Sequence, residues 1–152
     1  MSDFPIPSEL LGLPNVQAVQ YKIVNAERIE VSVISTLEAA VCPTCHQVST
    51  QVHDTAQPQT LRDLPIWDRQ CWLRYAPRRL SCATCHHTFV ERVAWREPGY
   101  AHTERYAQHI YQRALHQDVA QIAHDEGLSQ DLVRDIFERW AKKASTSAGT
   151  LA

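Results

Sequence analysis

Cys42-Pro-Thr-Cys45 and Cys82-Ala-Thr-Cys85 place two CxxC pairs in a chain of 152 residues. Two residues between cysteines let both sulfurs of a tight turn reach one ion, and two such knuckles supply the four thiolates of a closed tetrahedral zinc site. Four protein ligands leave no position for water, so the Zn²⁺ expected here, one per chain, holds a fold together and activates no nucleophile. A thioredoxin-like redox pair needs a CxxC opening a helix after a strand, and neither pair has a helix-like stretch behind it. The opening Met-Ser-Asp-Phe-Pro lacks the pattern of a secretion signal, which implies a reducing cytoplasm and argues against disulfides. The fifth cysteine, Cys71, lies in strand-like alternation and reads as a small buried hydrophobe. His46 and His86 each follow a ligand directly. Adjacent side chains seldom both reach one ion, so both are expected at exposed knuckle tips rather than on the metal.

The elements that must position these knuckles are mostly strands. Val19–Ile34 alternates apolar and polar residues around a break at Asn25, which predicts a hairpin. Strands are expected near 48–53 and 61–67, a second hairpin over 70–81 with Pro77 at an edge or bend, and a short strand at 88–91. Glu97-Pro98-Gly99 ends this alternation and marks the internal boundary. Beyond it the period becomes helical, through Tyr106, Ile110 and Ala114, then Val119, Ile122 and Ala123, then Leu132, Val133, Ile136, Phe137 and Trp140. The predicted class is α+β. An N-terminal β-hairpin region (1–38) precedes a small β-rich zinc ribbon (39–96), then a three-helix helix-turn-helix domain (100–144) and a disordered tail (145–152). The aromatic residues Trp67, Trp72, Phe89, Trp95, Phe137 and Trp140 read as core, because they fall in alternating or amphipathic patterns.

Charge is uneven. The total of −2 divides into −4 over 1–61, +3 over 62–105 and −1 over 106–152, and every base of the middle segment is arginine. Arginine suits bidentate phosphate and guanine contacts, so a nucleic-acid partner and a solvated strand face are both open on charge alone. No stretch reaches the 18 or so apolar residues of a membrane span.

In Asp118–Phe137, small Ala123 lies four residues before Gly127 and apolar Val133 six after it. Two helices crossing at a tight turn need a small residue where the backbones meet, a flexible one at the turn and an apolar anchor beyond, which is the helix-turn-helix pattern. An ordinary helical bundle with a glycine turn is the alternative. In the DNA-binding geometry Ser129, Gln130, Asp131 and Arg134 face the groove, with Gln130 suited to adenine and Arg134 to guanine. Arg139, Lys142 and Lys143 serve either phosphates or the helix dipole.

A zinc ribbon with an arginine-rich hairpin, followed at once by a helix-turn-helix, resembles the N-terminal region of the ISL-three family of bacterial insertion-sequence transposases. The resemblance rests on Cys42-Pro-Thr-Cys45, Val52-His53, Leu61-Arg-Asp-Leu-Pro65, Arg78-Arg-Leu-Ser-Cys82, and Cys85 with Thr88-Phe-Val-Glu91. It implies recognition of terminal inverted repeats in double-stranded DNA in a bacterial cytoplasm, with Arg62, Arg78 and Arg79 as phosphate contacts and His53 as either a contact or a packing residue. The family's DDE domain, which cuts and joins DNA, needs on the order of 150 residues. That length does not follow the third predicted helix, so the chain is expected to be a non-catalytic DNA-binding fragment. Where the family usually has glycine after the first knuckle, this sequence has His46. Partners other than DNA would be a second copy or an intact transposase. A stand-alone transcriptional regulator and a protein-interaction module are the competing functions.

One zinc per chain is expected by elemental analysis. Cys42→Ser or Cys85→Ser should release it and unfold residues 40–92, whereas Cys71→Ser should keep it; full zinc content in Cys82→Ser/Cys85→Ser would remove the assignment.

Overall fold

The computed structural model describes the backbone of residues 8–150 and the side chains of residues 9–146. Two compact units divide the chain after Thr103.

In the first unit, α1 (Ser8–Leu11) precedes β1 (Val16–Asn25) and β2 (Arg28–Ser35). These two strands form the expected hairpin, turned where the Asn25 side chain accepts the Glu27 amide at 2.8 Å. β2 alternates buried Ile29, Val31, Val33 and Ser35 with more exposed residues, the signature of a strand with one covered face. β3 (Ala40–Val41) and β4 (Val48–Ser49) flank the first knuckle, and β5 (Gln51–Thr55) follows. β6 (Gln59–Ile66) and β7 (Arg69–Tyr75) pair antiparallel; β8 (Arg78–Ser81) and β9 (Thr88–Val90) flank the second knuckle.

Three expectations change here. First, residues 1–38 are not a separate region: β2 pairs in parallel with β7, giving a four-stranded sheet in the order β1-β2-β7-β6. Its buried face gathers Val16, Ala18, Ile29, Val31 and Val33 of the hairpin with Leu61, Cys71, Leu73 and Tyr75 and with Val93 and Trp95, so the hairpin shares one core with β6 and β7. Second, residues 70–81 are not a hairpin. The strand leaves the sheet at Ala76-Pro77, where proline has no amide to donate, and β8 joins β5 and β9 in a three-stranded sheet. The real hairpin turns at Trp67-Asp68, between paired Ile66 and Arg69. Trp67 is therefore not core: it is 88% exposed, while Trp95 and Phe89 are buried. Third, the boundary lies beyond Gly99. The Arg62 amide donates to Ala101 and the Thr103 amide to Arg62, both at 2.9 Å, so residues 101–103 run along β6. The Thr103 hydroxyl donates to buried Asp63 at 2.8 Å, as a buried carboxylate requires.

The four-stranded and three-stranded sheets of this unit meet at Glu91. Its buried carboxylate accepts from the Ser35 hydroxyl (2.9 Å), the Tyr75 hydroxyl (2.8 Å), and the Arg78 amide and guanidinium (3.0–3.1 Å). Those donors come from β2, β7 and β8.

The second unit contains α2 (Glu104–Ala114), α3 (Val119–Glu126) and α4 (Gln130–Thr150). Tyr106, Ala107 and Ile110 of α2, Ile122 and Ala123 of α3, and Val133 and Ile136 of α4 are buried, as the helical period requires. Gly127 closes α3 at φ +67°, with the Leu128 amide returning to the Ala123 carbonyl at 2.9 Å. The Ser129 hydroxyl accepts the Leu132 amide at 3.1 Å and caps α4. Glu104 receives Arg139 at 2.8 Å and Lys143 at 2.7 Å, so these two bases clamp α4 to α2. The tail expected over 145–152 is helical to Thr150. No proline stops α4, and the Thr146 hydroxyl bonds back to the Lys142 carbonyl. Residues 151–152 lie outside the described residues.

Burial alone raises the Glu91 pKa, but the hydrogen bonds from Tyr75, Arg78 and Ser35 outweigh it and hold the group below its ordinary 4.5. A depressed carboxylate contributes stability above its unfolded pKa and loses it as pH falls through the folded value. The first unit should therefore lose stability only below about pH 4. Arg78→Ala, which strands that carboxylate, should cost about 3 kcal/mol in denaturant unfolding at neutral pH. A loss under about 0.5 kcal/mol would remove the joint from this role.

Candidate metal centre and nucleic-acid interface

Each knuckle is built the same way. The Cys42 amide donates to the Gln47 carbonyl and the His46 amide to the Cys42 carbonyl; in the second knuckle Cys82 bonds His87 and His86 bonds Cys82, all four at 2.9 Å. Closing so tight a loop forces the residue after the second cysteine to positive φ, +62° at His46 and +64° at His86. Glycine adopts that region without cost, and a residue with a Cβ does not. The turn therefore forms with histidine, and both side chains are exposed and off the metal, as the spacing predicted.

The four sulfurs of Cys42, Cys45, Cys82 and Cys85 lie within 4.8 Å of one another. Across the knuckles, Cys42 Sγ stands 3.6 Å from Cys85 Sγ and Cys45 Sγ 3.4 Å from Cys82 Sγ. A regular ZnS₄ tetrahedron with bonds of about 2.3 Å has edges of about 3.8 Å. The two cross-knuckle separations are within a few tenths of an ångström of that edge, the four sulfurs share one small cluster, and these residues hold one structural zinc. The thiols are already differentiated. Amides of Cys85 and Thr84 outweigh desolvation and pull Cys82 down to about 6. At Cys85 the His87 amide lowers the pKa, yet desolvation and the surrounding thiols push it up to about 12. Bound zinc supplies a cross-link between the β3–β4 and β8–β9 knuckles, over a small core of Leu80 and Phe89. Cys71 is buried in the other core and takes no part in the cluster.

The arginines named for phosphate contact each have an internal partner. Arg62 is 4% exposed, with its guanidinium 5.1 Å from the Trp72 ring centre. Arg78 is bound to Glu91. Arg79 is half-exposed but forms two hydrogen bonds to Asp54, which holds that carboxyl below its usual range. His53 is exposed on β5. In the second unit Ser129, Gln130, Asp131 and Arg134 are all exposed at the start of α4. The Arg134 guanidinium donates to Gln130 at 3.2 Å and to Asp131 at 3.3 Å, so the three share one face.

Sequence reasoning missed Glu91, Asp63 and Glu104. For Glu91 the signal was present: Phe89, Glu91, Val93 and Trp95 form one alternating row, and an acid in a core row demands donors.

A four-thiolate ribbon in one unit and a glycine-turned, capped helix pair in the next define a zinc-finger and helix-turn-helix protein of the DNA-binding kind. Residues 38–85 match the zinc-finger of transposase IS204/IS1001/IS1096/IS1165, and residues 91–141 match the helix-turn-helix domain of transposase family ISL3. The chain thus carries the N-terminal region of an ISL3-family transposase. It is similar to the transposase for insertion sequence element IS1001 of Bordetella parapertussis, at 29% identity over 108 residues, covering 71% of this chain and 26% of that protein. The chain therefore spans about a quarter of that relative's length. No solved structure matches it. None of the described helices is long and apolar enough to cross a membrane.

His46→Gly and His86→Gly should each raise the stability of the zinc-loaded protein by about 0.5–1 kcal/mol, read as a higher melting temperature at unchanged zinc content. A decrease in both variants would show that the histidines contribute contacts outweighing the backbone cost.

Proposed function

We propose that this chain recognises double-stranded DNA at the terminal inverted repeats of an insertion sequence, acting in the bacterial cytoplasm. The helix-turn-helix is α3, Gly127 and α4, and α4 is the recognition helix. The observation that carries this is the division of α4's first turns: Val133 and Ile136 are buried, while Gln130 and Arg134 stand exposed and hydrogen-bonded to each other on the opposite face. An exposed pair of this kind exchanges at little cost for base edges, glutamine with adenine and arginine with guanine. Ser129 supports the same face from the cap and stands where a phosphate meets the helix N-terminus.

Arg62 and Arg78 are structural in this reading, because Arg62 is buried and Arg78 is mostly covered and bound to the buried Glu91 carboxylate, whereas Arg79 is half-exposed. Arg79 is the phosphate contact, exchanging Asp54 for the backbone. Cutting and joining strands is not assigned to the described residues: the buried or mostly buried acids Asp63, Glu91, Glu126 and Glu104 are each committed to internal donors. A second copy or an intact transposase would share the same DNA ends.

Selection of bound DNA from a random pool at stated salt tests this. Gln130→Ala and Arg134→Ala should relax preference at one position each by roughly tenfold, and Arg79→Ala should weaken all sequences alike and lower the salt slope by about one. With Mg²⁺ or Mn²⁺ the protein should bind without nicking. Absence of salt-sensitive binding, or metal-dependent cleavage abolished by changing one of its own acids, would overturn the reading.

A further inference from the structure

We infer that Trp67 anchors self-association, its indole seating in a groove on a second copy of this chain. Two features used by neither the zinc site nor the DNA reading carry this. Trp67 sits in the two-residue turn between β6 and β7 and is the most exposed large apolar side chain among the described residues, at 88%. Its φ is +53°, a conformation for which hairpin turns take glycine. A bulky indole held there, in water, marks a contact that the single chain does not make.

The second feature is a groove of 910 Å³ between β3, the end of β9 and the segment after it, lined by Val41, Pro43, Val90, Arg92, Arg96 and Pro98. Val41 and Val90 are 58% and 52% exposed at its wall. Aliphatic and proline surfaces beside the Arg96 guanidinium and the Arg92–Glu97 ion pair (3.4 Å) suit an aromatic ring. The same unit already holds an indole this way, with Arg28 at 4.6 Å and Arg62 at 5.1 Å from the Trp72 ring centre.

Within one copy the two features do not meet. The groove reaches Gln59 and Tyr75, which pair at the opposite end of the β6–β7 hairpin from Trp67. That separation is on the order of 20 Å at about 3.3 Å per residue. Two copies with these hairpins antiparallel, each tip at the other's groove, fill both sites and close as a two-fold pair. DNA is the less suitable occupant, because the charges near the tip balance: Lys22, Arg28 and Arg69 against Glu27, Glu30 and Asp68.

The test is sedimentation of the zinc-loaded full chain across the micromolar range. The chain should associate into dimers, and Trp67→Gly, which suits the positive φ and so keeps the fold, should weaken association at least about tenfold. Val90→Asp should do the same from the groove side. Mixing these two variants restores one of the two contacts and should give heterodimer where neither variant associates alone. A wild-type chain that stays monomeric, association unchanged in Trp67→Gly, or a Trp67→Gly effect confined to the DNA affinity of a monomer would each overturn the inference. Loss of sequence-specific DNA binding by itself leaves it intact, since no step depends on that reading.

Discussion

A single buried carboxylate joins the two larger sheets of the zinc unit. Glu91 arrives immediately after β9, yet its donors belong to β2, β7 and β8, the nearest of them 13 residues and the farthest 56 residues away along the chain. An ionised group is tolerated at such a place only if its lone pairs are filled, and here hydroxyls, an amide and a guanidinium fill them. Burial holds the Tyr75 phenol well above its ordinary pKa, so it remains a donor throughout. The packing of Tyr75 edge-on to Trp95, with ring centres 5.1 Å apart, follows from that anchorage. Zinc fixes the two knuckles to each other, and Glu91 fixes the sheet carrying one of them to the sheet that supplies most of the apolar core. Each bond makes the other's geometry possible.

Arg78 illustrates why charge alone does not locate an interface. A guanidinium presents the same planar fork to a phosphate and to a carboxylate, so its sequence does not say which it meets. Three arginines read as a DNA-facing group are distributed among a tryptophan face, a buried glutamate and a half-exposed aspartate. The segment's net positive charge is therefore partly consumed within the fold.

Local signals were legible, and non-local ones were not. Cysteine spacing defined the metal centre, the change of period located the helices, and Gly127 and Ser129 marked the turn that the backbone confirms. These features rest on residues a few positions apart. The parallel pairing of β2 with β7 joins Ile29 to Cys71 across the first knuckle and two further strands, and no residue near either strand announces it. Trp67 was misread because alternation was extended through it, whereas two residues between paired Ile66 and Arg69 suffice for a hairpin turn. The boundary moved to Thr103 because Asp63 needed a donor from beyond it, a demand visible only once Asp63 is seen to be buried.

The parallel β2–β7 pairing also bears on how the chain reaches its fold. Parallel strands cannot be joined by a tight turn, so the first knuckle and everything up to β6 lie inside the loop that this pairing closes. Loops of that length are slow to close, because entropy is lost before any contact compensates for it. Metal capture spans almost the same interval, 43 residues between Cys42 and Cys85. An ion gripped early by both knuckles would confine the ends of that loop and leave little searching for β2 and β7 to do. In that order of events zinc shortens the search for the fold as well as holding its result.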